Sequence, residues 1–299
     1  MRGGLAAAAL IVTFALSSAA FAGDMGATMS GKQLLVTGSA QRVRDADWIR
    51  RHLPPGARVT LADVTEDWAT LSLMGPGSRE ALAKLTDARL DTDAFPYPSL
   101  REIRVADAPV RAVRISYVGE LGWELYVPRE RAPGVYDALV AAGATDAGYY
   151  ALDSLRLEKG YRAWGHELSP RETALEAGMA FTVAWNKPGG FIGRDALLAQ
   201  RARGIAQRLL LFRLDETPLM AWGEEPIYRD GRCVGVLTSA GFGHTVGRLV
   251  GMGYAPLAPG ETHADLLAAR WEVDIAGTRV GATASLRPWW DPTGARMKA

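Results

Sequence analysis

Two tyrosines and two glutamates between residues 114 and 167 have the chemistry needed to bind a flat ring that carries N–H groups. Tyr117 and Glu124 lie in RISYVGELGWELYV, which predicts a β-hairpin, and Glu158 and Tyr161 lie where the predicted helix ALDSLRLEKG gives way to YRAWGHEL. A carboxylate accepts a bidentate pair of hydrogen bonds from a ring N–H and a neighbouring amino group, and a tyrosine ring packs on the flat face. These residue types therefore predict one candidate site.

Alternation along the two predicted strands places Glu124 opposite the apolar residues. The first strand directs Val113, Ile115 and Tyr117 to one side, and the second strand has one face made of Leu121, Trp123, Leu125 and Val127. If its own face is covered, Glu124 loses hydration and needs a hydrogen-bond donor, which a pterin ring supplies. The alternative is that Glu124 is an ordinary polar residue of a half-exposed strand, and the residues alone favour this alternative.

The composition is that of an ordinary globular chain. Its 299 residues include 48% hydrophobic and 22% charged residues, which provide for a packed core and predict two domains. A net charge of +1 gives no broad electrostatic attraction to nucleic acid or to an anionic membrane. The single cysteine, Cys233, excludes an intrachain disulfide, and its apolar surroundings indicate a structural thiol.

Metal and dinucleotide chemistry find no support in the sequence. The four histidines are widely spread, and none belongs to a close ligand pair: His52, His166, His244 and His263. Gly241, Gly243 and Gly247 have the wrong spacing for a dinucleotide-binding loop. We therefore predict no metal site in this chain.

The predicted elements indicate an α+β fold. Strands alternate with helices as far as about residue 204, and helices are predicted over residues 42–53, after Pro133 and over residues 194–203. After Gly204, short strands separated by glycine and proline predict a small β-barrel or sandwich. The predicted division is a signal-like leader over residues 1–24, a first domain over residues 25–204 and a second domain over residues 205–299.

The first residues have the pattern of a secretory signal peptide. Arg2 precedes an apolar run from Leu5 to Leu16, and small residues then lead to the cleavage-type sequence Ala20-Phe21-Ala22. The run is too short for a transmembrane helix, and no other segment has the length to span a bilayer. This pattern predicts export, and the alternative is that it is sequence read from a displaced start of a truncated gene.

Several segments resemble the folate-binding aminomethyltransferase family, also called the glycine cleavage T-protein family. The resemblance is carried by the hairpin and helix above, by GPGSRE, by TSAGFGHTVGRLVGMGYA and by the ending PWWDPTGARMKA. It covers residues 32–299, with residues 34–41 (LLVTGSAQ) resembling an internal strand before the helix over residues 42–53, and is closer to the folate half of sarcosine and dimethylglycine dehydrogenases. It implies a truncated aminomethyltransferase folate-binding domain followed by a small C-terminal β-barrel, and a cytoplasmic location in contrast to the leader.

The resemblance also implies a ligand and its binding residues. The ligand is tetrahydrofolate, with Glu124 on the pterin and with Tyr97, Tyr117 and Tyr161 lining the pocket. Arg156 is a further folate-binding candidate.

One departure affects this pocket. Aminomethyltransferases have a folate-contacting arginine at the position of Leu152, so that contact is lost here, as in the dehydrogenase variants. Arg156 has an alternative role as a structural ion pair with Asp153 or Glu158.

Catalytic residues stay unknown at this level. The family's principal catalytic aspartate lies in an upstream glycine-glycine segment that ends in an acidic pair, and residues 1–31 contain no counterpart. The implied function is one-carbon transfer linked to glycine, sarcosine or dimethylglycine catabolism. The alternatives are a non-catalytic folate-binding or partner-docking protein and an inactive fragment of such a dehydrogenase.

The resemblance finally implies a partner. The related dehydrogenases hold their flavin in a separate half, so no flavin site is expected in this chain, and a flavin-containing dehydrogenase chain is the expected partner. We also expect residues 32–60 to lie at an unpaired sheet edge.

Overall fold

The computed structural model describes residues 8–11, 34–57 and 59–299. The chain divides into two compact units. The first unit contains the described residues up to Tyr149 together with Gly294–Ala299, and the second unit contains Tyr150–Thr293. The chain thus passes from the first unit to the second before the predicted border at residue 204.

A six-stranded mixed sheet forms the first unit. Its order is β3-β4-β5-β2-β1-β6, with β1 (Ala8–Ile11), β2 (Trp68–Met74), β3 (Ser99–Val105), β4 (Ala108–Arg114), β5 (Gly122–Pro128) and β6 (Ala144–Asp146). β1 is parallel to β6, and the other neighbouring strands are antiparallel. The predicted hairpin is confirmed as the β4–β5 pair, in which Val113 lies opposite Glu124.

Part of the signal-like leader forms β1. Ala8–Ile11 lies between β2 and β6, and Leu10 pairs with Leu73 on one side and with Asp146 on the other. The remaining leader residues, including the predicted cleavage site at Ala22, lie outside the described residues. Within the described sheet, β6 is therefore joined to β2 through a strand of the leader.

β5 is buried on both faces because side chains pack against each side of the sheet at this strand. Trp123, Leu125 and Val127 enter the main apolar core of the first unit, whereas Glu124 and Tyr126 lie on the other face. The strand begins at Gly122, where a Cβ atom would lie only 2.6 Å from the carbonyl oxygen of Leu73. Glycine thus permits the close approach of β2 and β5.

The first three helices, α1 (Arg42–His52), α2 (Ser78–Ala83) and α3 (Ala132–Ala141), accompany this sheet. α1 confirms the predicted helix, but none of its residues is buried, and Val43 is 81% exposed. The strand predicted before α1 is not formed, because residues 34–38 have no regular secondary structure. The outer strands are β3 and β6, so the described part of residues 32–60 does not supply the predicted edge strand.

The described part of the second unit contains three α-helices and a closed barrel. α4 (Tyr149–Glu158) leads into it, and α5 (Arg194–Arg203) confirms a predicted helix. The barrel order is β10-β7-β12-β11-β8-β9, with β7 (Gln207–Leu214), β8 (Pro226–Arg229), β9 (Arg232–Gly243), β10 (Arg248–Pro256), β11 (Trp271–Ile275) and β12 (Thr278–Ser285). α6 (His263–Ala268) begins at a capping box formed by Thr262 and Asp265. The predicted C-terminal barrel is confirmed.

The last six residues belong to the first unit and include the short helix α7 (Ala295–Lys298). Arg296 Nε donates to both carboxylate oxygens of Glu120 at 2.8 Å. The fully buried Arg114 donates to the carbonyl oxygen of Phe95 at 2.6 Å and to the backbone oxygen of Ala299. These contacts attach the C-terminal segment to β4 and to the β4–β5 connection.

The described residues contain neither a candidate membrane-spanning helix nor a candidate metal site. No helix among them is long and apolar enough to cross a membrane. No group of three or more His, Cys, Asp or Glu side chains in this part of the chain is arranged to hold a metal ion.

Candidate functional site

Glu124 is a buried carboxylate on the face of β5 that turns away from the main core. Only 5% of the residue is exposed. Its Oε2 atom accepts a hydrogen bond of 2.6 Å from the hydroxyl of Tyr126, the next residue on the same face. The side chain is therefore neither solvated nor on the polar face of a half-exposed strand, which was the alternative left open by the sequence.

The surroundings of Glu124 are mostly apolar and aromatic. Tyr126 packs with Val113 and Ile115 in a small buried cluster, and the half-buried Tyr97 lies against the same cluster. Burial raises the pKa of the Glu124 carboxyl, and the hydrogen bond from Tyr126 opposes that shift. Burial also raises the pKa of the Tyr97 hydroxyl. A carboxylate in such a setting is favourable only when hydrogen-bond donors are directed at it.

Tyr117 does not lie on a strand, contrary to the predicted alternation. β4 ends at Arg114, and residues 115–121 form the connection to β5. Ser116 organises this connection, because its hydroxyl accepts hydrogen bonds from the N–H groups of Val118 and Glu120. Tyr117 is half-buried within that turn, so its position depends on loop geometry and not on strand register.

Arg156 lies in a buried polar network of the second unit. The residue is 1% exposed. Its guanidinium donates to Asp153 at 2.7 Å, to Glu167 at 2.8 Å, to Ser239 at 2.8 Å and to the carbonyl oxygen of Tyr161 at 3.1 Å. The predicted ion pair with Asp153 is present, and the second carboxylate partner is Glu167.

Glu167 completes this network. It is fully buried, and it also accepts hydrogen bonds from the Ala163 N–H at 2.9 Å and from the Thr238 hydroxyl at 2.8 Å. The network therefore joins α4, the segment after it and β9. Every one of these contacts is internal to the second unit.

Glu158 has a different environment in the second unit. It is fully buried, and its Oε1 atom accepts hydrogen bonds from the N–H groups of Thr245 and Val246 at 2.6 and 2.8 Å. Gly243 packs against it so closely that a Cβ atom there would lie 2.9 Å from the same oxygen. Glu158 thus holds the turn between β9 and β10.

The predicted site residues divide between the two units. In the first unit, Glu124 is bonded by Tyr126, which belongs to the cluster against which Tyr97 packs, and Tyr117 lies on the connection that precedes β5. Arg156 and Tyr161 are neighbours in the second unit. Sequence reasoning missed Tyr126, although the alternation that placed Glu124 also puts Tyr126 on the same face.

The structure also contains a separate cleft of about 450 Å³ in the second unit. It is lined by Lys187, by residues 189–191 and by residues 193–196, on the loop that leads into α5. None of the predicted site residues lines it.

Two family models match the chain. The model of the GCVT N-terminal domain matches residues 20–187, and the model of the glycine cleavage T-protein C-terminal barrel domain matches residues 207–291. The interval between the two matches includes residue 204, the predicted border.

Curated relatives extend this result. Mitochondrial sarcosine dehydrogenase of Homo sapiens is 40% identical over 244 residues, which make up 80% of this chain and 26% of that protein. Mitochondrial dimethylglycine dehydrogenase of Homo sapiens is 35% identical over 275 residues, which make up 90% of this chain and 31% of that protein. The chain thus spans about a quarter to a third of the length of these relatives.

A solved structure supports the fold. The glycine cleavage system aminomethyltransferase T from Bartonella henselae superposes with a TM-score of 0.71 at 22% identity, covering 86% of this chain and 68% of that one.

Sheet, barrel and buried carboxylate together define an α+β protein with a candidate site for a small hydrogen-bonding ligand. The family matches are more specific. The chain belongs to the glycine cleavage T-protein family of aminomethyltransferases and is related to the sarcosine and dimethylglycine dehydrogenases.

Proposed function

We propose that the chain is a tetrahydrofolate-binding one-carbon transfer domain linked to glycine, sarcosine or dimethylglycine catabolism. The observation that carries this proposal is the buried Glu124 carboxylate, which the Tyr126 hydroxyl bonds beside a small cluster of apolar and aromatic residues. Membership of the aminomethyltransferase family and the relationship to the two dehydrogenases support the same ligand class.

The residues present fit a reduced folate. A pterin ring carries a ring N–H and an exocyclic amino group, which match the acceptor capacity of a carboxylate. Glu124 has a second carboxylate oxygen besides the one that accepts from Tyr126, and each oxygen accepts more than one hydrogen bond. Tyr97 and Tyr117 offer aromatic faces in the same unit. We expect Glu124, Tyr97 and Tyr117 to hold the pterin. For Arg156 and Tyr161, which lie in the second unit, folate binding stays a prediction.

The bound folate supplies a nucleophilic nitrogen to which a one-carbon unit is transferred. The part of this chain is to bind and orient. The buried face around Glu124 excludes water, and a pocket that confines two reactants raises their effective concentration.

A second candidate function is folate binding without catalysis. Glu124 is the one buried carboxylate among the described residues of the first unit. If that carboxylate is committed to the pterin, no second buried carboxylate in the described part of this unit is available as a general base. General acid or base assistance commonly contributes about a hundredfold to ten-thousandfold, so this second candidate predicts binding without appreciable turnover.

Calorimetry with tetrahydrofolate tests the binding proposal. Glu124→Gln keeps the size of the side chain but removes its charge, and we expect it to cost about 1.5 to 3 kcal/mol, or roughly 10- to 150-fold in Kd. Glu80→Gln, at an exposed position of α2, is the matched control and should leave the affinity unchanged. Equal affinities of the wild type and Glu124→Gln would remove Glu124 from the site.

Formaldehyde consumption in the presence of tetrahydrofolate then separates the two candidate functions. A rate above the uncatalysed background that Glu124→Gln abolishes would support transfer. Binding with a background rate would support the non-catalytic alternative.

We further propose that the chain acts together with a flavin-containing dehydrogenase chain. The support is that it spans only 26% of sarcosine dehydrogenase and 31% of dimethylglycine dehydrogenase. Co-purification from the native source, followed by the visible absorbance spectrum of any associated chain, tests this. A preparation that elutes without a flavin-containing protein would contradict it.

For location, we propose the cytoplasm, with export as the alternative. The support is that Ala8–Ile11, inside the signal-like leader, pairs with both β2 and β6. A peptidase cut after Ala22 would remove this strand from the sheet. The N-terminal sequence of the protein isolated from its source decides between the two, since a start at Gly23 would indicate export.

A further inference from the structure

The hydrogen bond between Tyr126 and Glu124 follows from their positions on β5. The two residues are separated by one position on β5, so alternation puts them on the same face. Both are buried, at 7% and 5% exposure, and the Tyr126 hydroxyl donates to Glu124 Oε2 at 2.6 Å. A hydrogen bond of this length to a carboxylate is in the short range typical of charge-assisted bonds.

The neighbouring strands bring few other charged groups to this face. On β2, Ser72 lies opposite Glu124, and on β4 the residue opposite Glu124 is Val113. Arg111 lies opposite Tyr126, but its guanidinium sits 4.5 Å from the centroid of the Trp68 ring.

Other titratable groups that the described residues bring near this face include Glu102 and Tyr97. Arg111 donates to Glu102 at 3.2 Å, and the half-buried Tyr97 packs against the cluster that contains Tyr126. The described ion pairs of the chain include Arg111 with Glu102 but do not include Glu124. The Tyr126 hydroxyl is therefore the polar group that compensates for the burial of Glu124 on its own strand.

We propose that Tyr126 is a positioning residue for the folate site, which holds the Glu124 carboxylate in one orientation through Oε2 and leaves its remaining acceptor positions directed at a ring with N–H donors. This inference rests on the proposed function. It assigns the tyrosine a role distinct from stacking on the ligand, because its hydroxyl is committed to the glutamate.

The hydroxyl also affects the charge of Glu124. Burial favours the protonated carboxyl and raises its pKa, whereas the hydrogen bond favours the carboxylate and lowers the pKa. Removing the hydroxyl should raise the pKa of Glu124 further. Because only the carboxylate accepts both donors of a pterin, binding should then be lost at a higher pH in the variant than in the wild type.

Tyr126→Phe tests this inference with two readouts. The first is a pH titration of the Glu124 side-chain carboxyl by ¹³C NMR without folate, with the resonance assigned by its loss in Glu124→Gln. We expect the midpoint to move to higher pH in Tyr126→Phe. The second is calorimetry with tetrahydrofolate over a pH series, where we expect about a tenfold loss of affinity and a matching shift of the pH profile.

Tyr136→Phe is the matched control. Its hydroxyl also donates to a carboxylate, that of Asp146, at 2.8 Å in the same unit, but this pair is exposed. It should change neither the Glu124 midpoint nor the folate affinity. Site-specific 3-fluorotyrosine at position 126 provides a second variant that keeps the ring and strengthens the donor, so the Glu124 midpoint should move to lower pH.

The outcomes separate the inference from the proposed function. An unchanged Glu124 midpoint in both position-126 variants, or an unchanged folate affinity and pH profile in Tyr126→Phe, would overturn the positioning role. Absence of folate binding by the wild type would overturn the proposed function, and with it the folate role of Tyr126. The NMR titration would still report whether the tyrosine controls the glutamate.

Discussion

Replacing Arg156 with methionine distinguishes a structural arginine from a ligand-binding one. The guanidinium is 1% exposed and donates to Glu167, which is fully buried. Methionine keeps an unbranched apolar side chain in the same space but removes the charge and its hydrogen bonds. Glu167 would keep its bonds from Ala163 and Thr238 and lose its cation.

The expected cost follows from leaving a buried charge without its counter-ion. Breaking a buried ion pair by removing one partner typically costs about 3 to 5 kcal/mol. For a unit of this size, each kcal/mol lowers the melting temperature by roughly 2 to 4 °C, so we expect a fall of about 10 °C. Glu167→Gln should be similarly destabilising. The double variant Arg156→Met/Glu167→Gln should lose at least about 1 kcal/mol less than the sum of the two, because the residues are in direct contact.

Urea unfolding followed by tryptophan fluorescence measures these differences. Arg248→Met is the matched control, since Arg248 and its partner Glu216 have side chains that are 44% and 85% exposed. That variant should change the free energy of unfolding by less than about 1 kcal/mol. The reasoning is refuted if Arg156→Met is as stable as the control. If the same variant instead loses folate affinity, Arg156 is a ligand contact.

Two further predictions concern the first unit. Arg114→Met should destabilise it by about 3 kcal/mol, because the buried guanidinium bonds the backbone oxygens of Phe95 and Ala299, and hydrogen exchange of the β4 amides should report the loss. Asp63 has a pKa lowered to about 2 by the hydrogen bond from Arg42 and then by those from Thr65. Its folded pKa is below its unfolded value, so its stabilising contribution is present above about pH 4 and is lost as the pH falls through about 2, which amide NMR shifts of Thr65 should follow.

Each of these predictions has a control and a contradicting result. For Arg114 the control is Arg104→Met, since Arg104 is exposed and bonds only a neighbouring carbonyl oxygen, that of Asp107, at 3.0 Å. Equal exchange rates in the two variants would show that burial of Arg114 adds nothing. For Asp63, the variant Asp63→Asn should remove the low-pH transition. A transition that persists in this variant would belong to another group.

The barrel was predictable because its strands are determined by local patterns. Short apolar runs such as residues 207–214 are separated by glycine or proline turns, and runs of this length between turns indicate strands. The β4–β5 hairpin was predictable for the same reason. The helix over residues 42–53 was also predicted. The sequence did not predict that none of its residues is buried, because the number of partners available to a helix is a property of the tertiary fold.

The site was less predictable, for reasons that can be named. Tyr117 was assigned to a strand, but the strand ends at Arg114, whose buried guanidinium donates a hydrogen bond to Phe95. The alternating pattern therefore does not extend to Tyr117. The strand predicted within residues 34–41 is not formed, and these residues have no pairing partner in the described sheet. Glu167 was not recognised because its partners come from α4 and β9, which are distant in sequence.

Buried glutamates thus have two opposite roles in this chain, and their partners distinguish them. Glu167 has an arginine, a backbone N–H and a hydroxyl from its own unit, so its charge is neutralised and its position serves the fold. Glu124 is buried to a similar degree, but the described ion pairs do not include it, and one tyrosine hydroxyl bonds one of its oxygens. A buried carboxylate whose charge is incompletely compensated is stabilised further when a ligand brings donors to it. Sequence motifs gave both regions equal weight, whereas the number of internal donors supports the proposed ligand role of Glu124 and a structural role of Glu167.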